Sequence, residues 1–99
     1  MVLKLHELVN GTFQQLEKLE KAFVLAEKIF NQKDFDKHIG PCNLVLTVEV
    51  VRYNLKQGLF WDGGQLKISE WFLETSSPKR LADNLEKICL SNLKHRRKS

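Results

Sequence analysis

Apolar residues recur at alternating steps of three and four over residues 2–30. Such steps place residues on one face of an α-helix. Asn10 and Gly11 interrupt the pattern, and glycine costs a helix interior about 1 kcal/mol relative to alanine. We therefore predict a short helix over residues 2–9 and a long helix over residues 13–31, with one continuous helix as the alternative. The members of the pattern, of which only Thr12 is polar, are Val2, Leu5, Val9, Thr12, Leu16, Leu19, Phe23, Ala26 and Phe30.

Two of the predicted helices have recognisable N-terminal residues. Thr12 and Gln15 have the spacing of a capping box, in which each side chain bonds the backbone N–H of the other residue. Ser77 precedes Pro78, and a serine N-cap followed by proline at the first helical position is a common helix start. The sequence therefore predicts one helix after Thr12 and a last helix after Ser77, with its apolar stripe ending near Leu93.

The segment over residues 42–55 fits two patterns. Its alternating leucines and valines, with five β-branched residues, fit a strand. A stripe at helical spacing also runs through it, with Pro41 near its start and Gly58 just past its end. These two end signals favour a helix, and the strand is the alternative.

The following residues contain a turn and a further short helix. Gly63 and Gly64 lie between two short apolar segments, so residues 59–68 fit a small β-hairpin. The apolar positions over residues 67–75 predict a short helix.

Together these elements favour an all-α fold, a compact bundle of about four helices with a long N-terminal helix. The alternative is an α+β fold, with helices packed on a small three-stranded antiparallel sheet over residues 43–68. The length of 99 residues is that of a single domain. We expect this helical domain over residues 1–93 and a basic C-terminal tail over residues 94–99.

The net charge of the chain is concentrated in that tail. The sequence has 16 Lys and Arg and 12 Asp and Glu, a formal net charge of +4. Four cations fall within residues 94–98, and the remaining cations balance the anions. Phosphate contacts, and with them nucleic-acid binding, would therefore depend on the tail and on the cations at the start of the last helix. The candidate residues are Lys79, Arg80, Lys94, Arg96, Arg97 and Lys98.

Apolar and aromatic residues support a different function. Phe60 and Trp61 lie beside the glycine turn, and aromatic residues dominate the energetic centres of protein interfaces. The apolar stripe of the long helix, which includes Leu16 and Phe23, is long enough for a helix-pair dimer. We therefore expect a small non-enzymatic protein-interaction module, a regulator or adaptor that binds a protein partner or a second copy of itself as a homodimer. Nucleic-acid binding is the alternative function.

Signals of catalysis, metal binding and membrane insertion are missing from the sequence. Cys42, Cys89 and the three histidines include no tight ligand pair of the kind found in zinc sites. The sequence also has neither a Gly-x-Ser-x-Gly nucleophile motif nor a phosphate-binding glycine loop. We expect no enzymatic activity, metal or cofactor. We further expect reduced cysteines, a cytoplasmic location and no membrane span.

Overall fold

A computed structural model describes residues 2–32, 43–52 and 58–97, with side chains described as far as Ser91. This part of the chain has an α+β fold, with one four-stranded mixed sheet and three helices. The elements in chain order are β1 (Val2–Val9), α1 (Phe13–Gln32), β2 (Asn43–Val51), β3 (Leu59–Asp62), β4 (Gln65–Ser69), α2 (Glu70–Thr75) and α3 (Pro78–Arg97).

The strands lie in the order β1-β2-β4-β3. β2 is parallel to both of its neighbours, and β3 pairs antiparallel with β4. Two adjacent parallel strands need a long crossover connection. α1, which lies between β1 and β2 in the chain, forms part of that connection. Gly63 and Gly64 join β3 to β4 with φ values of 59° and 82°. Two positive φ values are typical of a type I′ turn, so the hairpin predicted over residues 59–68 is confirmed.

The helices and one face of the sheet share a single core. α1 packs against β1 and α3, while α3 also reaches β3. Side chains alternate along a strand, so Lys4, Val45, Glu49 and Lys67 lie on the other face, which we call the open face of the sheet. The outer surfaces of α1 and α3 are therefore directed away from the sheet. Fully buried core members include Leu19, Phe30, Val48, Leu66, Ile68, Leu73, Leu81 and Leu85.

The prediction of a helix over residues 2–9, and of one continuous helix, is wrong because this segment is the edge strand β1. Leu3, Leu5 and Leu8 contact the core from β1, at steps of two and then three residues. A bulge between Leu5 and Glu7 shifts the register with β2, and the alternation of side chains changes phase there. The bulge therefore produces an apolar spacing that resembles a helical pattern.

The helix predicted over residues 42–55 and the all-α bundle are also wrong. Residues 43–51 form β2, and its alternating apolar residues face the core as the strand alternative described. The β-branched residues outweigh the helical end signals because the segment pairs with a strand on each side. The α+β alternative has the correct class, but its three-stranded antiparallel sheet is wrong, because the sheet has four strands and is mixed.

The remaining helix predictions are confirmed. α1 covers the long helix expected over residues 13–31, and α2 lies within the short helix expected over residues 67–75. α3 begins at Pro78, where Ser77 Oγ accepts the backbone N–H of Arg80 at 3.2 Å. These helices could be predicted from the sequence because apolar residues recur at helical spacing and capping residues mark the helix starts.

Candidate protein-interaction surface

Side-chain hydrogen bonds fix α1 at its start. Thr12 Oγ1 accepts the backbone N–H of Gln15 at 3.1 Å, and Gln15 Oε1 accepts that of Thr12 at 2.9 Å, which confirms the capping box. Gln15 Nε2 donates to Glu74 Oε1 of α2 at 3.2 Å, and Lys18 Nζ donates to the Glu74 carbonyl at 3.0 Å. The first half of α1 is therefore held against α2 and presents a fixed outer surface.

α1 has a buried face and an opposite exposed face. Six residues of the buried face enter the interior, including Leu19, Phe23 and Phe30. Val24 lies near the middle of the other face, because successive helical residues are about 100° apart, and its exposed fraction is 55%. On this face Val24 is surrounded by charged residues, and Phe13, which is 72% exposed, lies about three turns earlier on nearly the same side. We call this surface the α1 outer face and define it as Glu17, Glu20, Lys21, Val24, Glu27 and Lys28.

The charges of the α1 outer face are available to an external partner. In the part of the chain that the structure describes, none of these charged residues forms an ion pair. Glu27 Oε2 accepts the backbone N–H of Leu3 at 2.8 Å, which holds its carboxylate in place. This bond also satisfies a backbone N–H of the edge strand β1, which is then not available to pair with another strand. The α1 outer face thus combines one exposed apolar side chain with un-neutralised charges.

A shallow hollow of about 630 Å³ opens beside Val24. Leu25 and Pro78 give it an apolar wall where α3 begins next to α1. Hollows of this size are in the range that accommodates ligand or partner side chains. The residues that line it are Glu17, Glu20, Lys21, Val24, Leu25 and Pro78.

The four residues expected at a protein interface lie in different parts of the fold. Phe23 is buried in the core, and Leu16 is half-buried on α1. Trp61 packs on the core from β3, where its Nε1–H is buried without an acceptor among the described residues. Phe60 is half-buried and belongs to the open face, opposite Lys67 of β4. The structure does not bring these four side chains together on one surface.

The most exposed apolar residues were not among those singled out from the sequence. Phe13 is 72% exposed at the start of α1, Trp71 is 56% exposed on α2, and Val45 is 54% exposed on β2. Val24 does have a sequence signal, because it is an apolar residue that lies off the buried stripe and between charged residues. Trp71 directly precedes the buried Phe72 and Leu73, and its sequence position does not separate it from the core. Phe13 lies off the buried stripe of α1, on nearly the same side as Val24, so the helical periodicity could have identified it as well.

Of the residues expected to bind nucleic acid, those from Lys79 to Arg97 are spread along α3, and Lys98 lies outside the described residues. Lys79 and Arg80 are exposed in its first turn, and the Arg80 guanidinium carbon lies 5.5 Å from the centre of the Phe72 ring. α3 continues to Arg97, so Lys94 is about 22 Å from Lys79 along the helix axis. The side chains of the remaining candidates lie outside the described residues: Lys94, Arg96, Arg97 and Lys98.

Lys67 and Glu49, two charged residues on the open face of the sheet, are paired within the chain. Lys67 Nζ lies 3.0 Å from Asp62 Oδ2 and 3.6 Å from Glu49 Oε1, and the Lys67 side chain is only 16% exposed. Asn10 Nδ2 donates to Glu49 Oε2 at 3.4 Å. These internal contacts leave this face less charge to offer a partner than the α1 outer face.

The titratable groups that the structure describes include neither a metal-binding cluster nor an activated thiol. Among the described residues, no three His, Cys, Asp or Glu side chains are grouped closely enough to hold a metal ion. Burial raises the pKa of the Cys89 thiol from 9.0 to about 11, which keeps it neutral and a poor nucleophile near pH 7. Cys42 lies outside the described residues. In the same part of the chain, each helix is too short or too polar to cross a bilayer.

The α1 outer face is therefore the strongest candidate for an interaction surface in the described part of the chain. It has an exposed apolar centre, charges without internal ion pairs and an adjoining hollow. Comparison of the chain with protein-family models, curated proteins and solved structures finds no match.

Proposed function

We propose that the chain is a non-enzymatic protein-interaction module, a regulator or adaptor that binds a helix of another protein molecule along the α1 outer face. The observation that carries the proposal is the exposure of Val24 at the centre of this face. Burial of an apolar side chain by a partner contributes about 25 cal/mol per Å² removed from water. A partner helix with an apolar residue at its centre would gain this contribution, and its charged residues could pair with those around Val24.

The anchoring of α1 supports this function. The helix is held by its buried face and by the bonds of Gln15 and Lys18 to α2. A surface fixed before binding loses less conformational entropy when the partner arrives. The hollow at Pro78 gives the side chains of a partner helix room next to Val24. The α1 outer face therefore has both the shape and the rigidity of a docking surface.

Selection of helical peptides from a display library against the immobilised protein tests this proposal. The selected peptides are titrated against the wild type, Val24→Asp and Val45→Asp by fluorescence anisotropy. Val45 is a matched control, because it is 54% exposed on the open face of the sheet while Val24 is 55% exposed. We expect Val24→Asp to weaken binding by about tenfold or more and Val45→Asp to leave it unchanged. If no peptide distinguishes Val24→Asp from the wild type, the proposal is refuted.

Nucleic-acid binding is the second candidate function, and the exposure pattern of α3 favours it. Over Pro78–Ser91 the exposed charged residues are all cations, Lys79, Arg80 and Lys87, while the acidic residues are half-buried. Lys94 follows Lys87 by seven residues, which places both backbone positions on nearly the same side of the helix. A row of cations on one helix side can contact successive phosphates.

Anisotropy titrations with duplex DNA and single-stranded RNA at two salt concentrations test this second candidate. If α3 binds phosphates, Lys87→Gln should weaken binding and reduce its salt dependence, while Lys28→Gln on α1 should do neither. Equal effects of the two substitutions would exclude binding through α3.

A further inference from the structure

A line of exposed residues runs along α1 from its first residue past its middle. Phe13, Glu17, Glu20 and Val24 follow one another at steps of four, three and four residues, and all four are exposed. At about 100° per residue, these positions fall within about 60° of the helix circumference and span about 16 Å of its axis. We call this line the α1 seam. It has an apolar residue at each end and two glutamates between them.

The two glutamates make the centre of the α1 seam acidic. In the described part of the chain, neither Glu17 nor Glu20 forms an ion pair. The exposed lysines of α1, Lys21 and Lys28, lie off the seam and on one side of it, toward Leu25. The two carboxylates are therefore available to cations of a partner.

We propose that the partner helix of this surface is basic and amphipathic, with two apolar residues 11 positions apart and a lysine or arginine four and seven positions after the first of them. This inference rests on the proposed function and states the chemistry of its partner. Helices that pack along a seam of this spacing bring residues at the same height into contact. The apolar residues then cover Phe13 and Val24, and the cations pair with Glu17 and Glu20. The spacing is the same in both directions, so a parallel and an antiparallel partner meet the requirement equally.

The hollow beside the α1 seam favours long cationic side chains. Glu17 and Glu20 both line it, and Leu25 and Pro78 form its apolar wall. Lysine and arginine can lay their aliphatic stems on an apolar surface while the charged group reaches a carboxylate. The hollow of about 630 Å³ therefore offers both of the contacts that such a side chain makes.

The same charges disfavour a second copy of the chain as the occupant of the α1 seam. In a parallel pair each glutamate would face the same glutamate of the other copy. In an antiparallel pair centred on the seam, Glu17 would face Glu20 of the other copy. Both directions bring like charges together, which weakens binding. A helix with cations at these two positions replaces each repulsion by an attraction.

Two designed helical peptides test the charge of the partner. Both have leucines 11 positions apart, and they differ only at the two seam positions between them, which are lysine in one peptide and glutamate in the other. Each peptide is titrated against the protein by fluorescence anisotropy. We expect the lysine peptide to bind at least about tenfold more tightly than the glutamate peptide, and added salt to reduce the difference. Phe13→Gln should weaken binding of the lysine peptide, because it removes one of the two apolar contacts.

Charge reversal in the protein separates a loss of pairing from a loss of folding. The double variant Glu17→Lys/Glu20→Lys should bind the glutamate peptide more tightly than the lysine peptide, and a misfolded protein would not show this reversal. Glu20→Lys alone should remove most of the wild-type preference. Glu7→Lys, at an exposed site of β1, changes the net charge equally and is the matched control, which should keep the preference.

Equal affinity of the wild type for the two peptides, or binding of neither, would overturn the basic partner. So would a preference that the double variant does not reverse. If peptides selected from the library bind in a Val24-dependent manner but lack cations at the two seam positions, the proposed function survives and the basic partner is refuted. If no peptide binds in a Val24-dependent manner, both the proposed function and the basic partner are refuted.

Discussion

Gly58 lies where the backbone before β3 approaches the first turns of α2. Its φ is +67°, and its carbonyl accepts the Ser69 N–H at 2.7 Å. A Cβ atom at this position would lie 2.8 Å from Cδ2 of Phe72 and 3.1 Å from Cδ1 and Cε2. The ring of Phe72 is buried, and the guanidinium of Arg80 lies over it. Gly58→Ala should therefore strain both the backbone and the packing of this corner.

The expected cost follows from these two contributions. A left-handed conformation costs a residue with a Cβ about 1–2 kcal/mol relative to its usual regions. Overpacking by an added carbon in a filled interior costs about 1–3 kcal/mol. Their sum for Gly58→Ala is about 2–5 kcal/mol. Domains of this size have unfolding free energies of about 5–15 kcal/mol, so the variant should remain folded or lie near its threshold.

Gly63→Ala is the matched control for the backbone contribution. Gly63 has φ of +59°, and nothing lies within 4 Å of a Cβ built there. It should therefore lose only about 1–2 kcal/mol. The difference between the two variants isolates the contact with Phe72, about 1–3 kcal/mol. Urea unfolding followed by tryptophan fluorescence gives both values.

Equal unfolding free energies for the two alanine variants would refute this reasoning, because the Phe72 ring would then move away from the added carbon with no loss of stability. If Gly58→Ala is too unstable to measure, Phe72→Leu can be introduced into both backgrounds. A smaller ring-free side chain should reduce the cost of Gly58→Ala but leave that of Gly63→Ala unchanged. The same loss in both backgrounds would also contradict the proposed contact.

Three further predictions concern the buried Cys89 thiol, Lys67 on the open face, and the hydrogen bond from the Leu3 N–H to Glu27. Burial raises the pKa of the Cys89 thiol from 9.0 to about 11, so its alkylation in the native state should be slow, as peptide mass spectrometry can measure. The free energy of unfolding should fall as the pH rises from about 9 to 11, because the thiol of the unfolded chain ionises first, and unfolding experiments over this pH range measure the loss. Lys67→Met removes the cation between two carboxylates and should cost about 1–2 kcal/mol in urea unfolding, whereas Lys79→Met at an exposed site should change stability by less than about 0.5 kcal/mol. Glu27→Ala should cost about 1 kcal/mol and speed hydrogen exchange at the Leu3 amide, while Glu27→Gln retains an acceptor and should do less of both.

Local signals in the sequence were sufficient for the helices and the hairpin but not for the sheet. α1 and α3 have regular apolar stripes and defined first residues, and Gly63-Gly64 has the residue type that its turn requires. The identity of β1 depends on a bulge, which can be recognised only when the pairing with β2 is known. Parallel pairing is also a relation between distant segments, so the chain pattern alone could not give the strand order.

The candidate surface was partly accessible from the sequence. The long helix was recognised as an interaction element, but Leu16 and Phe23 were chosen from the stripe that the sheet and α3 bury. Without the sheet, a wide apolar stripe on α1 looks like a surface in need of a partner. Once the strands cover that stripe, the informative residue is Val24 on the opposite face, where its neighbours are charged.

The edge strand β1 is a surface through which copies of this chain could associate, and Glu27 opposes that association. An uncovered strand edge can pair with another chain, but the bulge after Leu5 and the bond from the Leu3 N–H to Glu27 both oppose strand addition. Removal of the Glu27 carboxylate frees the Leu3 N–H at this edge. Glu27→Ala should therefore promote concentration-dependent association in sedimentation experiments, whereas Glu27→Gln, which retains an acceptor, should promote it less. A Glu27→Ala variant that sediments as the wild type does at every concentration would contradict this role of Glu27.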